Sequence, residues 1–339
     1  MNAAVLPAAA TAAPALLQVD DLAVHFPARA HGRGWGAHAV VRAVDGVSLA
    51  LRPNETLGLV GESGCGKSTL ARAVIRLLVP TGGRVVFDGR DITTLGQREL
   101  KAMRANFQIV FQDPASSLNP RMKVGQVLAE PMKIACWSGA RIRERIGELL
   151  SLVGLEPAHL QRYPHEFSGG QKQRIVIARA LALSPRLVVC DEPVSALDVS
   201  VQAQIINLLK DIQQRLGVSY LFVAHDLGVV RQVSHRVLVM YLGRIAEEAP
   251  KAAFFARPMH PYSQALLSAI PQPRPGAARN RIVLTGDLPS PIDPPSGCRF
   301  RTRCPLAQDA CAAPEPVLRE LAPGHRVACH FAETARLAA

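Results

Sequence analysis

Short apolar runs alternate along this chain with longer stretches whose apolar residues recur every three or four positions. Thr56-Leu57-Gly58-Leu59-Val60, Gln108-Ile109-Val110-Phe111, Leu187-Val188-Val189-Cys190, Tyr220 to Ala224 and Val237 to Tyr241 are short and almost wholly apolar. That pattern predicts strands covered on both faces. Val47, Leu49 and Leu51 alternate with polar neighbours and predict a strand with one buried face. Leu17 to Phe26 reads as an edge strand that opens the domain, and Arg84 to Phe87 as a short strand before the Asp88-Gly89 turn. Ala28 to His38, with several Gly, Arg and His residues, reads as an exposed loop. Helical spacing runs from Leu70 to Leu78, before Pro80, and again through Ile142, Ile146, Leu149, Leu150 and Val153. A helical stretch from Ser168 to Leu183 starts with Ser168 and has Gln171 three residues on, a capping-box pair. Ala203 to Leu216 is amphipathic. Strands alternating with helices imply an α/β core on a mainly parallel, covered sheet, interrupted by a helical insertion over about residues 114–166.

Length and composition narrow the classes. At about 150 residues per domain, 339 residues make about two domains, or one with a large appendage. The net charge of +12 is spread along the chain, with no basic run. Nucleic acid is therefore not the expected partner. No stretch of about 18 residues is apolar enough to cross a bilayer. Residues 1–16 are rich in alanine, carry no basic region and are broken by Pro7 and Pro14, so a flexible tail is expected rather than a signal peptide. The expected compartment is the cytoplasm, with the seven cysteines mostly reduced.

The most specific chemistry lies in Gly61-Glu62-Ser63-Gly64-Cys65-Gly66-Lys67-Ser68-Thr69, which fits the phosphate-loop pattern G-x-x-x-x-G-K-[ST] between a strand and a helix. Glycines let backbone N–H groups turn toward a phosphate chain, and the helix start adds a favourable dipole. Lys67 is expected to reach the β- and γ-phosphates and Ser68 to ligate Mg²⁺. The strand Leu187 to Cys190 ends in Asp191-Glu192. Asp191 is read as a Mg²⁺ holder and Glu192 as the group that polarises the attacking water.

Phe167-Ser168-Gly169-Gly170-Gln171 adds a second anion-binding helix start. Here the chain resembles the ATP-binding cassette family, whose signature is L-S-G-G-Q, with Phe167 in place of Leu. The resemblance spans roughly residues 17–245. It implies a P-loop ATPase core that includes an antiparallel β portion, and ATP sandwiched between the phosphate loop of one subunit and the signature of another. It also assigns Gln112 to the γ-phosphate, Mg²⁺ and the link to the transport domains. Ser195-Ala196-Leu197-Asp198 becomes the loop touching the partner subunit, and His225 the switch histidine. Gly61 and Ser63 through Thr69 hold the phosphates, with Phe26 the candidate adenine-stacking aromatic. Ser168, Gly169, Gly170 and Gln171 close over the partner's ATP.

After residue 250 prolines multiply. His260-Pro261-Tyr262, Leu288-Pro289-Ser290-Pro291 and Pro294-Pro295-Ser296-Gly297-Cys298 resemble the C-terminal extension of ATPase subunits of dipeptide and oligopeptide importers. Nickel and glutathione importers share that extension, so the same importer class with nickel, glutathione or an opine as cargo is the nearer alternative to peptides. Val110 through Pro114, Ser117 through Arg121 and Glu192 through Ser200 fit the same group, and match the second of its two ATPases. The resemblance implies a cytoplasmic-face, membrane-peripheral subunit, a second ATPase, two permeases and an extracytoplasmic binding protein. Residues 17–250 would form the ATPase domain and 251–339 the extension. Cys298, Cys304, Cys311 and Cys329 are separated by five, six and seventeen residues. This is not a short zinc knuckle, and three readings stay open: a [4Fe–4S] cluster, as some importers of this group carry, zinc, or free thiols. A soluble cassette ATPase of DNA repair or translation is the competing class. Such proteins carry two cassettes, a long coiled coil or a zinc-bearing insertion within the cassette, and this chain has none of these.

Overall fold

The computed structural model describes residues 14–29, 38–270 and 282–336. The expectations for most of residues 1–16 and of the Ala28–His38 loop lie outside these.

In chain order, β1 (Leu17–Arg29) and β2 (His38–Leu51) precede β3 (Thr56–Val60), which feeds α1 (Lys67–Ala73). Next come β4 (Gly82–Phe87), β5 (Arg90–Asp91), α2 (Gln97–Met103) and β6 (Phe107–Val110). The helices α3 (Pro114–Ser117), α4 (Val124–Ile134), α5 (Gly139–Val153) and α6 (Gly169–Ala180) lead to β7 (Leu187–Asp191). Then follow α7 (Val199–Leu216), β8 (Ser219–Val223), α8 (Leu227–Val233), β9 (Arg236–Tyr241) and β10 (Arg244–Pro250). The tail holds α9 (Lys251–Ala256), α10 (Pro261–Ser268), β11 (Arg319–Ala322) and β12 (His325–Val327).

Two sheets result. One is antiparallel, in the order β2-β1-β4-β5. The other has the order β11-β12-β10-β9-β3-β8-β7-β6. Its β6, β7, β8, β3 and β9 run parallel to one another. Every residue of β3, β7 and β8 is buried, which explains their unbroken apolar runs. The carboxyl ends of β3 and β7 therefore deliver the phosphate loop and Asp191-Glu192 to neighbouring points on one sheet edge.

Two expectations need correction. β1 is not an edge strand: it pairs with β2 on one side and β4 on the other. Its alternation of buried and open positions marks one covered face, which a central strand of a one-sided sheet shares with an edge strand. The helix after the phosphate loop stops at Ala73 rather than Leu78, and the chain turns at Arg76, whose φ is +57°. Apolar spacing alone cannot show that turn, because Val74 and Ile75 are buried beyond the helix end all the same. The large sheet also takes in two tail strands: β12 pairs with β10, and β11 pairs with β12. The tail is thereby stitched to the cassette.

Candidate nucleotide site

The phosphate loop is shaped by its glycines. Gly66 has φ +107°, and a Cβ there would run into the carbonyl oxygen of Ala43. At Gly61, with φ +155°, a Cβ would meet the carbonyl oxygen of Met240 and sit 2.8 Å from Cys65 Sγ. Cys65 is a packing residue, and burial pushes its thiol pKa up. Lys67 is buried and donates from Nζ to the carbonyls of Gly61 (2.8 Å) and Glu62 (2.9 Å).

A cavity of about 500 Å³ opens over this loop. Ser63, Gly64, Cys65, Gly66, Lys67, Ser68 and Thr69 line it, and Gln112, Glu192 and His225 face it from the ends of three other segments. Asp191 lies just beneath: its Oδ1 accepts from the Ser68 hydroxyl at 2.7 Å, and Arg72 Nη2 stands 3.5 Å from Oδ2. The Glu192 Oε2 accepts from Gln112 Nε2 at 3.2 Å and lies 3.1 Å from His225 Nδ1. Glu192 also has φ +50°, a left-handed conformation uncommon for a non-glycine residue and of a kind that collects at functional sites. Its backbone N–H is pinned to the carbonyl of Val223 at 3.0 Å. A carboxyl held between an amide and an imidazole beside a phosphate-sized opening can accept a proton from water.

The signature is set apart from this cavity, whose walls include none of residues 168–171. Ser168 caps α6: its Oγ accepts from the Gln171 N–H (3.3 Å), and the Gln171 Oε1 accepts from the Ser168 N–H (3.1 Å). Gly170 packs close to α7: a Cβ there would lie 2.6 Å from Val201 Cγ1, so that side chain would have to shift. Phe167 is buried, edge-on to His159 at 5.3 Å and beneath the Arg162 guanidinium at 4.8 Å. Asp198 caps α7, and the Val201 N–H with the Ser200 hydroxyl holds its carboxyl below the usual range. Ser195 Oγ donates to the Glu192 carbonyl at 3.1 Å. Phe26 does not line the cavity; it is partly exposed and lies directly across from Val41, which does. Partners directly opposite in an antiparallel pair share a face.

Sequence reasoning missed Val41, Arg42, Ala43, Leu242, Gly243 and Pro291 among the cavity walls. None carries a nucleotide-binding motif. They arrive by pairing: the Gly243 N–H donates to Cys65 C=O (2.9 Å), and the Arg42 N–H to Pro291 C=O (3.0 Å).

In the tail, Cys298, Cys304, Cys311 and Cys329 line one small cavity, with His260, Phe300 and Phe331 in its wall. Burial pushes the Cys298 and Cys304 thiols up to about 11. Among the described residues no group of three or more His, Cys, Asp or Glu is placed to hold a metal ion.

Fold and site together define a P-loop ATPase. The sequence matches the ABC transporter family over residues 44–195, and the family described as oligopeptide/dipeptide transporter, C-terminal region, over residues 246–311. It is 54% identical over 319 residues to a probable peptide ABC transporter ATP-binding protein, y4tS, of Sinorhizobium fredii, covering 93% of this chain and 90% of that one. With the oligopeptide transport ATP-binding protein AppF of Bacillus subtilis it shares 52% over 320 residues, 93% and 97% of the two chains. The ATP-binding cassette MJ0796, solved as a dimer in a post-hydrolysis state with ADP and Pi, superposes with a TM-score of 0.61 at 28% identity, covering 69% of this chain and 98% of that one. The chain belongs to the ABC transporter ATPases and carries the C-terminal region of the oligopeptide/dipeptide transporter group. It hydrolyses ATP.

Proposed function

We propose that this chain powers the import of peptides as an ATPase subunit bound to the cytoplasmic face of a membrane. The observation that carries the reading is the convergence of the phosphate loop, Gln112, Glu192 and His225 on one cavity in a chain that also bears the oligopeptide/dipeptide transporter tail. No helix among the described residues is long and apolar enough to cross a membrane, so permease subunits supply the path.

ATP places its phosphates on Gly61 and Ser63 through Thr69, and Lys67 exchanges its two loop carbonyls for the β- and γ-phosphates. Ser68, Gln112 and Asp191 offer the hydroxyl, amide and carboxyl oxygens that suit Mg²⁺, which when bound neutralises charge on the phosphate oxygens. Glu192 takes the proton of the attacking water, held by Gln112 and His225 on its Oε2. Phe26, on the face it shares with Val41, stacks on adenine. Because Ser168, Gly169, Gly170 and Gln171 lie off their own cavity, they serve the ATP of a second ATPase subunit, with Ser195 and Asp198 at the joint. A heterodimer, two permeases and an extracytoplasmic binding protein complete the importer.

The four tail cysteines are a candidate [4Fe–4S] site. What supports this reading is that the four cysteines line one small cavity and that four thiolates are the ligand set such a cluster takes. The raised thiol pKa values mean that such ligation must displace protons. Anaerobically purified protein should absorb at about 400 nm, and Cys304→Ser should abolish that band; protein without iron or absorbance refutes the cluster.

The cargo test uses the complex that co-purifies with this chain from membranes. Its ATP turnover should rise with binding protein loaded with di- or tripeptides. Stimulation by nickel or glutathione alone contradicts the peptide reading.

A further inference from the structure

The tail reaches the phosphate loop itself. Arg303 donates through Nη1 and Nη2 to the two carboxyl oxygens of Glu62, at 2.6 and 3.1 Å. Glu62 is the second residue of the loop. The hydroxyl oxygen of Tyr262, on α10, accepts from the Glu62 backbone N–H at 2.8 Å. The carbonyl of the same residue accepts from Lys67 Nζ. Side chain, N–H and carbonyl of Glu62 are thus all engaged, two of them by residues about 200 and 240 positions away.

Both tail groups are rigidly mounted. Tyr262 is fully buried and packs edge-on against Tyr241 at 4.8 Å, with Phe300 at 5.4 Å. The Arg303 side chain is 9% exposed, and it directly precedes the cavity-lining Cys304. A second strut reaches the middle of the loop. Arg299 pairs with Asp45 and donates to the Leu242 carbonyl at 2.5 Å, and the next residue, Gly243, holds Cys65. A two-pronged guanidinium contact fixes direction as well as distance. Without it the Glu62 side chain loses its tether, and the turn closed by the Cys65 N–H on the Glu62 carbonyl (3.3 Å) is held less firmly.

We propose that Arg303 and Tyr262 are positioning residues for nucleotide binding, orienting the phosphate loop through Glu62 so that the tail sets the affinity for the β- and γ-phosphates. The inference rests on the reading that this loop binds ATP. It concerns phosphates and leaves adenosine contacts alone, which separates it from a folding role.

The test measures the dissociation constants of Mg·ATP and of AMP, with the number of sites, on the purified full chain. Tyr262→Phe keeps the packed ring and removes only the acceptor oxygen; it should weaken ATP about fivefold. Arg303→Met should weaken ATP about tenfold, with Arg303→Lys between it and wild type. Adding Glu62→Gln to Arg303→Met should cost little more, because both act on one contact. AMP affinity and site number should hold throughout. If Tyr262→Phe and Arg303→Met bind ATP as wild type does, or lose AMP and ATP sites in parallel at unchanged affinity, the positioning role is refuted and the tail merely supports the fold. A wild-type chain that binds no ATP overturns the nucleotide reading and this inference with it.

Discussion

Glu247 is the point on which the tail's attachment can be measured. It sits on β10 with no exposed surface. Its Oε1 accepts from the Met259 N–H at 2.8 Å and lies 2.6 Å from His325 Nε2, and its Oε2 accepts from the His260 N–H at 3.0 Å. Glu247→Ala therefore leaves one part-buried and one buried backbone donor and one buried imidazole without their partner. Each orphaned donor costs about 1–3 kcal/mol, and removing one partner of a buried charged contact about 3–5 kcal/mol. Those contacts overlap, so about 4 kcal/mol is the expected total. At about 2–4 °C per kcal/mol for a domain of this size, the melting temperature should fall by about 10 °C. Glu247→Gln keeps the volume and one acceptor oxygen and should lose about half as much. Thermal unfolding followed by circular dichroism gives the shift, and limited proteolysis shows whether the tail is released first. A Glu247→Ala protein melting within about 2 °C of wild type, with an equally resistant tail, would refute the claim that this carboxyl anchors the extension.

Two further outcomes follow from local geometry. Gly66→Ala meets both a left-handed φ and the Ala43 carbonyl, whereas at Gly64 a Cβ has only a φ of +81° to contend with and nothing within 4 Å. Without nucleotide, Gly66→Ala should lower the melting temperature clearly more than Gly64→Ala; equal shifts would contradict the close-approach argument. Burial lowers the His260 pKa from the ordinary 6.5 to about 4, so the folded chain keeps it neutral while the unfolded chain takes a proton below 6.5. Its contribution of about 3 kcal/mol is complete above pH about 6.5 and is lost as the pH falls toward 4. His260→Gln should flatten the melting curve over that window, and an unchanged slope relative to wild type would count against it.

The parts legible in the sequence are those whose chemistry is local. The phosphate loop, the Ser168–Gln171 pair and Asp191-Glu192 at a strand end each declare themselves within a few residues, and the cavity collects the loop with Gln112, Glu192 and His225. What stayed hidden is carried by distant partners. Arg244 to Pro250 shows no apolar alternation, and its Glu247 and Glu248 look like surface acids. Both are buried, because His325 reaches Glu247, and Arg236 and Arg326 reach Glu248. Nothing near residue 247 announces a histidine 78 positions later. The clamp on Glu62 was invisible for the same reason: the second position of a phosphate loop accepts any residue, and only the folded tail shows what grips it. The cavity walls at Val41, Arg42 and Pro291 are there through backbone pairing, which leaves no trace in residue type.

The most direct check of the central claim is the fate of ATP on a Glu192→Gln chain within its assembled complex. Wild type should release phosphate. The variant should keep ATP affinity while phosphate release falls at least about a hundredfold, because the carboxyl that accepts the water's proton is gone. Normal turnover by Glu192→Gln would contradict the account and move the base elsewhere in the cavity.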